Sequence, residues 1–328
     1  MNTTGNNPFI KKFVKERSFT LLLVLVAIIV IFQLVNKNYL TSDNIRNILY
    51  AASLSGTLAV GIGCILILGI PDLSAGAVGC IGGLLIAILM NTGLGWFPSL
   101  LIAMAFGAAA GFINAFFVNV CRMMPFISTL AMASVWRGLG YIITDNQSIS
   151  ISNTAFQKFA SSWFLGMPLP FIIMMLLYLI YGLILKYTNF GRKIFMVGGN
   201  RNAARLAGIN IKKVQTILMV NCSVIATLGG SILVGRMHNA TPFSVHGTEI
   251  DGIIASCLGG ISFMGGSGGM LGAFIGLLLL NFFNNGLSIV GLGAYWQIVA
   301  SGLLLVLALV VDFIGNEFRA KKLKARRT

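Results

Sequence analysis

Eight of the 328 residues are acidic, and Asp72, Glu249 and Asp251 among them fall at the ends of long apolar runs. A carboxylate in that setting has two uses. It relays a proton or cation, or it sits at a helix N-terminus and satisfies the unpaired N–H groups and the positive end of the dipole. Asp72 follows Pro71 and Thr248-Glu249 opens an apolar run, an arrangement that favours helix starts. Arg137, preceded by Trp136, lies inside another apolar run; it either lines a polar path or snorkels and pairs with a carbonyl. The other polar groups within such runs are the amides Asn114, Asn119, Asn221, Asn281, Asn284, Asn285 and Gln297. Amides bind neutral polyols through paired donors and acceptors, and they also join membrane helices to one another. Asn221, Asn281 and Gln297 are the candidates for a solute pathway.

Other chemistries have little support. His238 and His246 are eight apart with no neighbouring carboxylate, so neither they nor the five scattered cysteines suggest a metal site. A phosphate-binding loop needs a Gly-Lys dipeptide, and the chain has none. Any ATP-driven function therefore takes its ATPase from a partner, and the chain is expected to be no enzyme and to hold no cofactor itself.

The elements that position these residues must lie in a membrane. The chain is 57% apolar and 9% charged, with mean hydropathy +0.90, against the quarter or so of charged residues in soluble domains. A soluble domain, a disordered chain and a nucleic-acid partner are excluded together, although the net charge is +15. Seventeen of the 23 Lys and Arg residues cluster before the first apolar run, between Lys186 and Lys213, and after Asn316. Ten apolar runs separate them, near 18–35, 48–70, 73–91, 96–120, 126–143, 165–186, 214–235, 249–264, 268–290 and 295–314. Each approaches the roughly 20 residues that cross a bilayer as a helix. Six runs before Lys186 and four after Lys213 return every basic segment to one side, which the positive-inside bias makes the cytoplasm. The expected organisation is a cytoplasmic segment 1–17, one transmembrane domain 18–314 and a basic cytoplasmic tail 315–328.

Two stretches depart from simple spans. Residues 249–276 are short and glycine-rich, as are 56–83, and each has an apolar run, a break and a second apolar run rich in small residues. They read as two copies of one unit, since transporters are often built from repeats. The 249–276 stretch either spans fully or is broken, and irregular backbone is tolerated at membrane depth only inside protein or along a cavity. On the cytoplasmic side, Thr188–Lys213 carries no acid and has a helix-like patch at Asn202–Leu206 stopped by Ala207-Gly208. A short amphipathic helix lying flat there suits docking of a partner, beyond a merely topogenic loop.

These residues resemble the permease subunits of bacterial ATP-binding-cassette importers of the ribose type. Gly69 to Gly76 (GIPDLSAG) is similar to the family's G-x-x-DLSVG. Gly111 to Asn114, Pro125 to Leu130 and Arg137-Gly138 are similar to GxxNG, PPFIATL and RG. Thr188 to Ile209 follows T-x-x-GR followed by GGN-x-x-AA-x-x-x-GI, and Glu249 to Asp251 with Gly259 to Gly268 follows ELDAIAA and GG-x-S-x-x-GG-x-G. Departures are Ala75 for Val, Ala115 for Gly, Met124 for Pro, and Gly252 and Ile254 for alanines. The resemblance implies an all-α membrane permease with about ten spans in the bacterial inner membrane. It works with a second permease subunit, cytoplasmic ATP-binding subunits that hold ATP and magnesium, and an extracytoplasmic sugar-binding protein. It further implies that Gly199, Asn200, Ala203, Ala204, Arg205, Gly208 and Ile209 belong to the coupling helix that meets the ATPase. Asp72, Ser74, Gly76, Asn114, Glu249, Asp251, Gly259, Gly260, Gly265 and Gly266 are the motif residues of its framework. The expected cargo is a neutral monosaccharide. The alternatives are another small polar solute such as a nucleoside or autoinducer, or an ion-coupled transporter relying on Asp72 and Asp312.

Overall fold

The computed structural model describes the backbone of residues 17–324. Lys11, Lys12 and Lys15 of the N-terminal segment, Arg326 and Arg327 of the tail, and the side chain of Asp312 lie outside the described residues. Helices dominate, and the strands make only two short two-stranded ribbons.

Among the described residues, six helices are long and apolar enough to cross a membrane: α2 (Ser42–Ile67), α4 (Trp96–Asn119), α5 (Pro125–Thr144), α7 (Leu169–Tyr187), α10 (Ile211–Met237) and α12 (Met270–Ile289). Shorter apolar stretches lie in α1 (Arg17–Val35), α3 (Ala75–Asn91) and α13 (Ala294–Lys324). Each of these nine helices coincides with a predicted run. The tenth run, 249–264, is broken. Helix α11 (Thr248–Leu258) has 11 residues, about 16 Å at 1.5 Å per residue and half of a hydrocarbon core.

Helix α10 is the central post, packed against α2, α3 and α4. Small residues set the spacing. A Cβ on Gly230 would overlap the Gly79 carbonyl, and Gly61 lies on the backbone of Cys222. The same contacts fix directions and depths. Gly79 and Gly83 of α3 meet Ala226 and Gly230 in rising order, whereas Gly107 and Gly111 of α4 meet Thr227 and Val220 in falling order. Helix α3 therefore runs with α10, and α4 against it. Past Gly61, α2 continues six residues, about 9 Å, toward the basic end of the bundle. The chain turns at Gly69, whose φ is +76°, and Asp72 returns to face the Cys222 thiol. Three residues, Ile70-Pro71-Asp72, are enough to cover that rise at about 3.3 Å per extended residue. The break is thus re-entrant, and α3 starts deep inside the bundle.

The connection into the second unit enters from the opposite end. Cys80 donates to the Pro242 carbonyl at 3.3 Å, and the Val245 carbonyl lies over Gly76, so the 241–247 connection descends alongside the first turns of α3. Helix α11 starts there, runs down beside α2 with Gly252 on Ile62 and Ala59, and crosses α12 where Gly272 lies on the Gly259 carbonyl. Two helix–break–helix units result, as their glycine pattern suggests, and their breaks touch.

The 144–164 connection between two of the apolar runs contains β1 (Ile149–Ser150), α6 (Thr154–Ser161) and β2 (Trp163–Phe164). Strand β2 pairs with β3 (Met167–Pro168), and β1 pairs with β4 (Asn239–Ala240). Phe156 and Phe159 stack on Trp96, an aromatic contact that periodicity over so short a helix does not reveal.

Gly230→Val places a branched side chain against the Gly79 backbone. Overpacking of this kind costs about 1–3 kcal/mol, so the variant is expected to melt several degrees lower in detergent. Gly293→Val, at a position with open space around it, is expected to leave the melting temperature within about a degree.

Candidate functional site

The first break and the start of α11 hold a buried polar cluster. Asp72 is fully buried, and its Oδ1 accepts from the Ser74 amide at 2.9 Å and the Ser74 hydroxyl at 2.6 Å. Ser74 Oγ accepts from Asn114 Nδ2 at 2.7 Å, and Asn114 Oδ1 accepts from the Trp136 indole at 3.1 Å. The donors therefore run in one direction, from α5 through α4 to the first break, and end on the carboxylate. Such chains polarise one another in a low-dielectric interior.

The next residue on α5 serves the start of α11. Arg137 pairs with Glu249 in the first turn of α11. The Glu249 side chain is 5% exposed, and a carboxylate buried to that degree needs a charged or hydrogen-bonded partner. Its Oε2 has no hydrogen-bond partner among the described residues and lies on Gly76, in the first turn of α3, where the helix dipole favours negative charge. Thr129 of α5 also reaches the Pro71 carbonyl, at 3.4 Å. Helix α5 thus clamps the first break and the start of α11 with one short segment.

These contacts refine the readings made from sequence. Asp72 is not itself a cap: it binds Ser74, which precedes α3. Glu249 lies in a first turn as expected, yet its carboxylate engages Arg137, and Arg137 takes a carboxylate in place of a carbonyl. Asp251 is half-buried one residue beyond Ile250. The pathway candidates occupy separate pairwise contacts. Asn221 accepts from the Tyr181 hydroxyl at 2.5 Å, Asn281 donates to Ser55 at 3.1 Å, and Gln297 is half-buried on α13.

Below the breaks lies the basic segment, which forms two helices, α8 (Asn189–Gly199) and α9 (Arg201–Leu206). The patch at 202–206 is helical as expected, and a second short helix, α8, precedes it. Side-chain oxygens explain the boundaries. Thr188 caps α8 by accepting from the Gly191 amide, and Asn200 caps α9 by accepting from the Ala203 amide, both at 3.0 Å. Helix α8 buries Ile194 and Val197 and leaves its charged face exposed. Its C-terminal end meets both breaks. The Ile67 carbonyl, at the end of α2, accepts from the Gly266 amide at 2.8 Å, and Gly198 lies on that same carbonyl. Gly266, at φ +75°, in turn lies on the Gly199 backbone. Side chains at 198 or 266 would part these three segments.

Of the coupling candidates, Ala204 is buried, Ile209 is half-buried, and Gly199, Asn200, Ala203, Arg205 and Gly208 are exposed. Arg205 shares a cavity of about 820 Å³ with Arg122, Arg201 and Lys212, walled by Met123 and Met124. Among the motif residues, Gly260, Gly265 and Gly266 supply the positive φ angles of the second break. The contact at Gly198 was missed from sequence, although the doubled Gly198-Gly199 carried the signal.

A helical bundle with two re-entrant breaks and a capped basic segment beneath them defines a membrane permease. Residues 44–309 match the family of branched-chain amino acid transport system permease components. The ribose import permease protein RbsC of Bacillus subtilis is 34% identical over 87% of this chain and 89% of its own length. The corresponding RbsC of Escherichia coli K12 is 35% identical over 94% and 97%. The L-arabinose transport system permease protein AraH of the same organism is 30% identical over 89% and 87%. No solved structure matches the chain. The chain belongs to this permease family and is a multi-pass membrane protein.

Removing one partner of the Arg137–Glu249 pair strands the other. Arg137→Met is expected to cost roughly 3–5 kcal/mol and to lower the melting temperature in detergent sharply. Arg137→Met combined with Glu249→Gln should recover most of that loss. A double variant no more stable than the single one would mean that the pair contributes little.

Proposed function

We propose that this chain is the membrane-spanning subunit of an ATP-binding-cassette importer for a simple sugar, a ribose-like monosaccharide. The observation that carries this reading is the meeting of α8 with both re-entrant breaks at the Ile67 carbonyl. A segment that docks an ATPase on one face and touches both breaks on the other is suited to transmitting motion. The relatives named for ribose and L-arabinose transport support the cargo class.

In this reading the basic end faces the cytoplasm, and so do both termini. ATP and magnesium act in the partner ATP-binding subunits, and an extracytoplasmic binding protein delivers the sugar at the other end. A second permease subunit completes the pathway. Closure of the ATPase subunits shifts α8 and α9, and the backbone contacts of Gly198 and Gly199 carry the shift to Ile67 and Gly266. The starts of α3 and α11 then move relative to the α5 clamp, and access alternates. Arg137 and Glu249 neutralise each other and Asp72 is hydrogen-bonded by Ser74, which suits a neutral, hydroxyl-rich solute over an ion. The basic cavity around Arg205 presents four cations to an acidic surface of the ATPase.

The test is uptake and ATP hydrolysis by this chain reconstituted with its ATPase and binding protein, across pentoses and hexoses. Sugar-loaded binding protein should stimulate hydrolysis. Arg205→Glu should cut uptake at least about tenfold, a loss of about 1.4 kcal/mol of coupling, with membrane insertion unchanged. Uptake driven by an ion gradient without ATP, or normal uptake by the variant, would overturn the reading.

A further inference from the structure

A groove of about 950 Å³ opens between α7, α8 and the start of α12. Its walls at membrane depth are apolar, with Leu179 and Leu183 from α7 and Leu271 and Phe274 from α12, and Leu179, Leu183 and Leu271 are exposed. At its mouth, on the basic end of the bundle, stand Lys186 from the last turn of α7 and Arg192 from the first turn of α8. Lys186 lies over the Tyr187 ring at 5.1 Å, and Arg192 donates to the Asn189 side chain. Neither meets a carboxylate, because no acid occurs between Asp145 and Glu249 or anywhere on α12. Both cations therefore retain donors for an outside anion.

An apolar slot at acyl-chain depth, with two cations at the interface and no acid beside them, matches one kind of molecule. We propose that the groove binds an anionic phospholipid of the leaflet at the basic end. Its phosphate sits between Lys186 and Arg192, and its chains lie along Leu179, Leu183, Leu271 and Phe274. Basic pockets between membrane helices recognise anionic headgroups through this combination, and charge-assisted hydrogen bonds to phosphate strengthen it. Gly268 and Gly269 also line the groove. They belong to the same break that meets α8, so the lipid braces the segment through which the ATPase would act. The site depends only on the membrane placement of α7 and α12 and not on the importer reading.

Native mass spectrometry of the full chain in detergent, with phosphatidylglycerol and phosphatidylcholine offered at equal concentration, tests the proposal. The expected result is retention of phosphatidylglycerol over phosphatidylcholine by about tenfold or more, as two interfacial cations would give. Lys186→Gln with Arg192→Gln should abolish the preference, while Lys213→Gln, outside the groove, should keep it. Equal retention of the two lipids by the unaltered chain, or an undiminished preference in the double variant, overturns the proposal. A photocrosslinking residue in place of Leu183 gives a second readout in liposomes. Adducts of phospholipid mass support the lipid, and adducts to a second copy of the chain or another protein overturn it.

Discussion

One backbone carbonyl organises the lower half of this molecule. The last carbonyls of a helix have no partner within it, and a buried unpaired one is costly. The Ile67 carbonyl at the end of α2 is satisfied from the other broken unit, by the Gly266 amide at 2.8 Å. Gly198 of α8 closes over the same oxygen. The requirement to pair one orphan group thus holds two breaks and one surface helix at a single point. Glycine at 198 and 266 follows from that geometry, because any Cβ would separate the three segments.

Higher in the bundle the constraint is electrostatic. The first break and the 241–247 connection start α3 and α11 inside the bundle, which places helix N-termini among buried groups. Asp72 and Glu249 supply the negative charge that such ends favour, and α5 answers with consecutive residues. Trp136 feeds a hydrogen-bond chain ending on Asp72, and Arg137 neutralises Glu249. A shift of the first break or of the start of α11 relative to α5 therefore disturbs a buried network.

Much of this was legible in the residues. Hydropathy located nine helices and marked 249–276 as irregular, and the polar motif residues Asp72, Ser74, Asn114 and Glu249 proved to share one buried neighbourhood. What escaped was whatever depends on partners distant in sequence. The pairing of Arg137 with Glu249 joins residues 112 apart, and no local pattern distinguishes it from a carbonyl contact or a cap. Helix α8 escaped because Gly191, Gly198 and Gly199 argue against a helix; packing of Ile194 and Val197 overrides that propensity. The separate engagements of Asn221 and Asn281 are likewise tertiary facts, since an amide's type says nothing about which neighbour it finds.

The central claim is that motion passes from α8 to the breaks through the contact at Gly198. The most direct measurement is sugar taken up per ATP hydrolysed by the reconstituted importer carrying Gly198→Val. Forcing the segments apart by an overpacking of about 1–3 kcal/mol should leave ATP hydrolysis within about twofold while uptake per ATP falls at least about tenfold. An unchanged ratio in a folded, inserted variant would contradict the account.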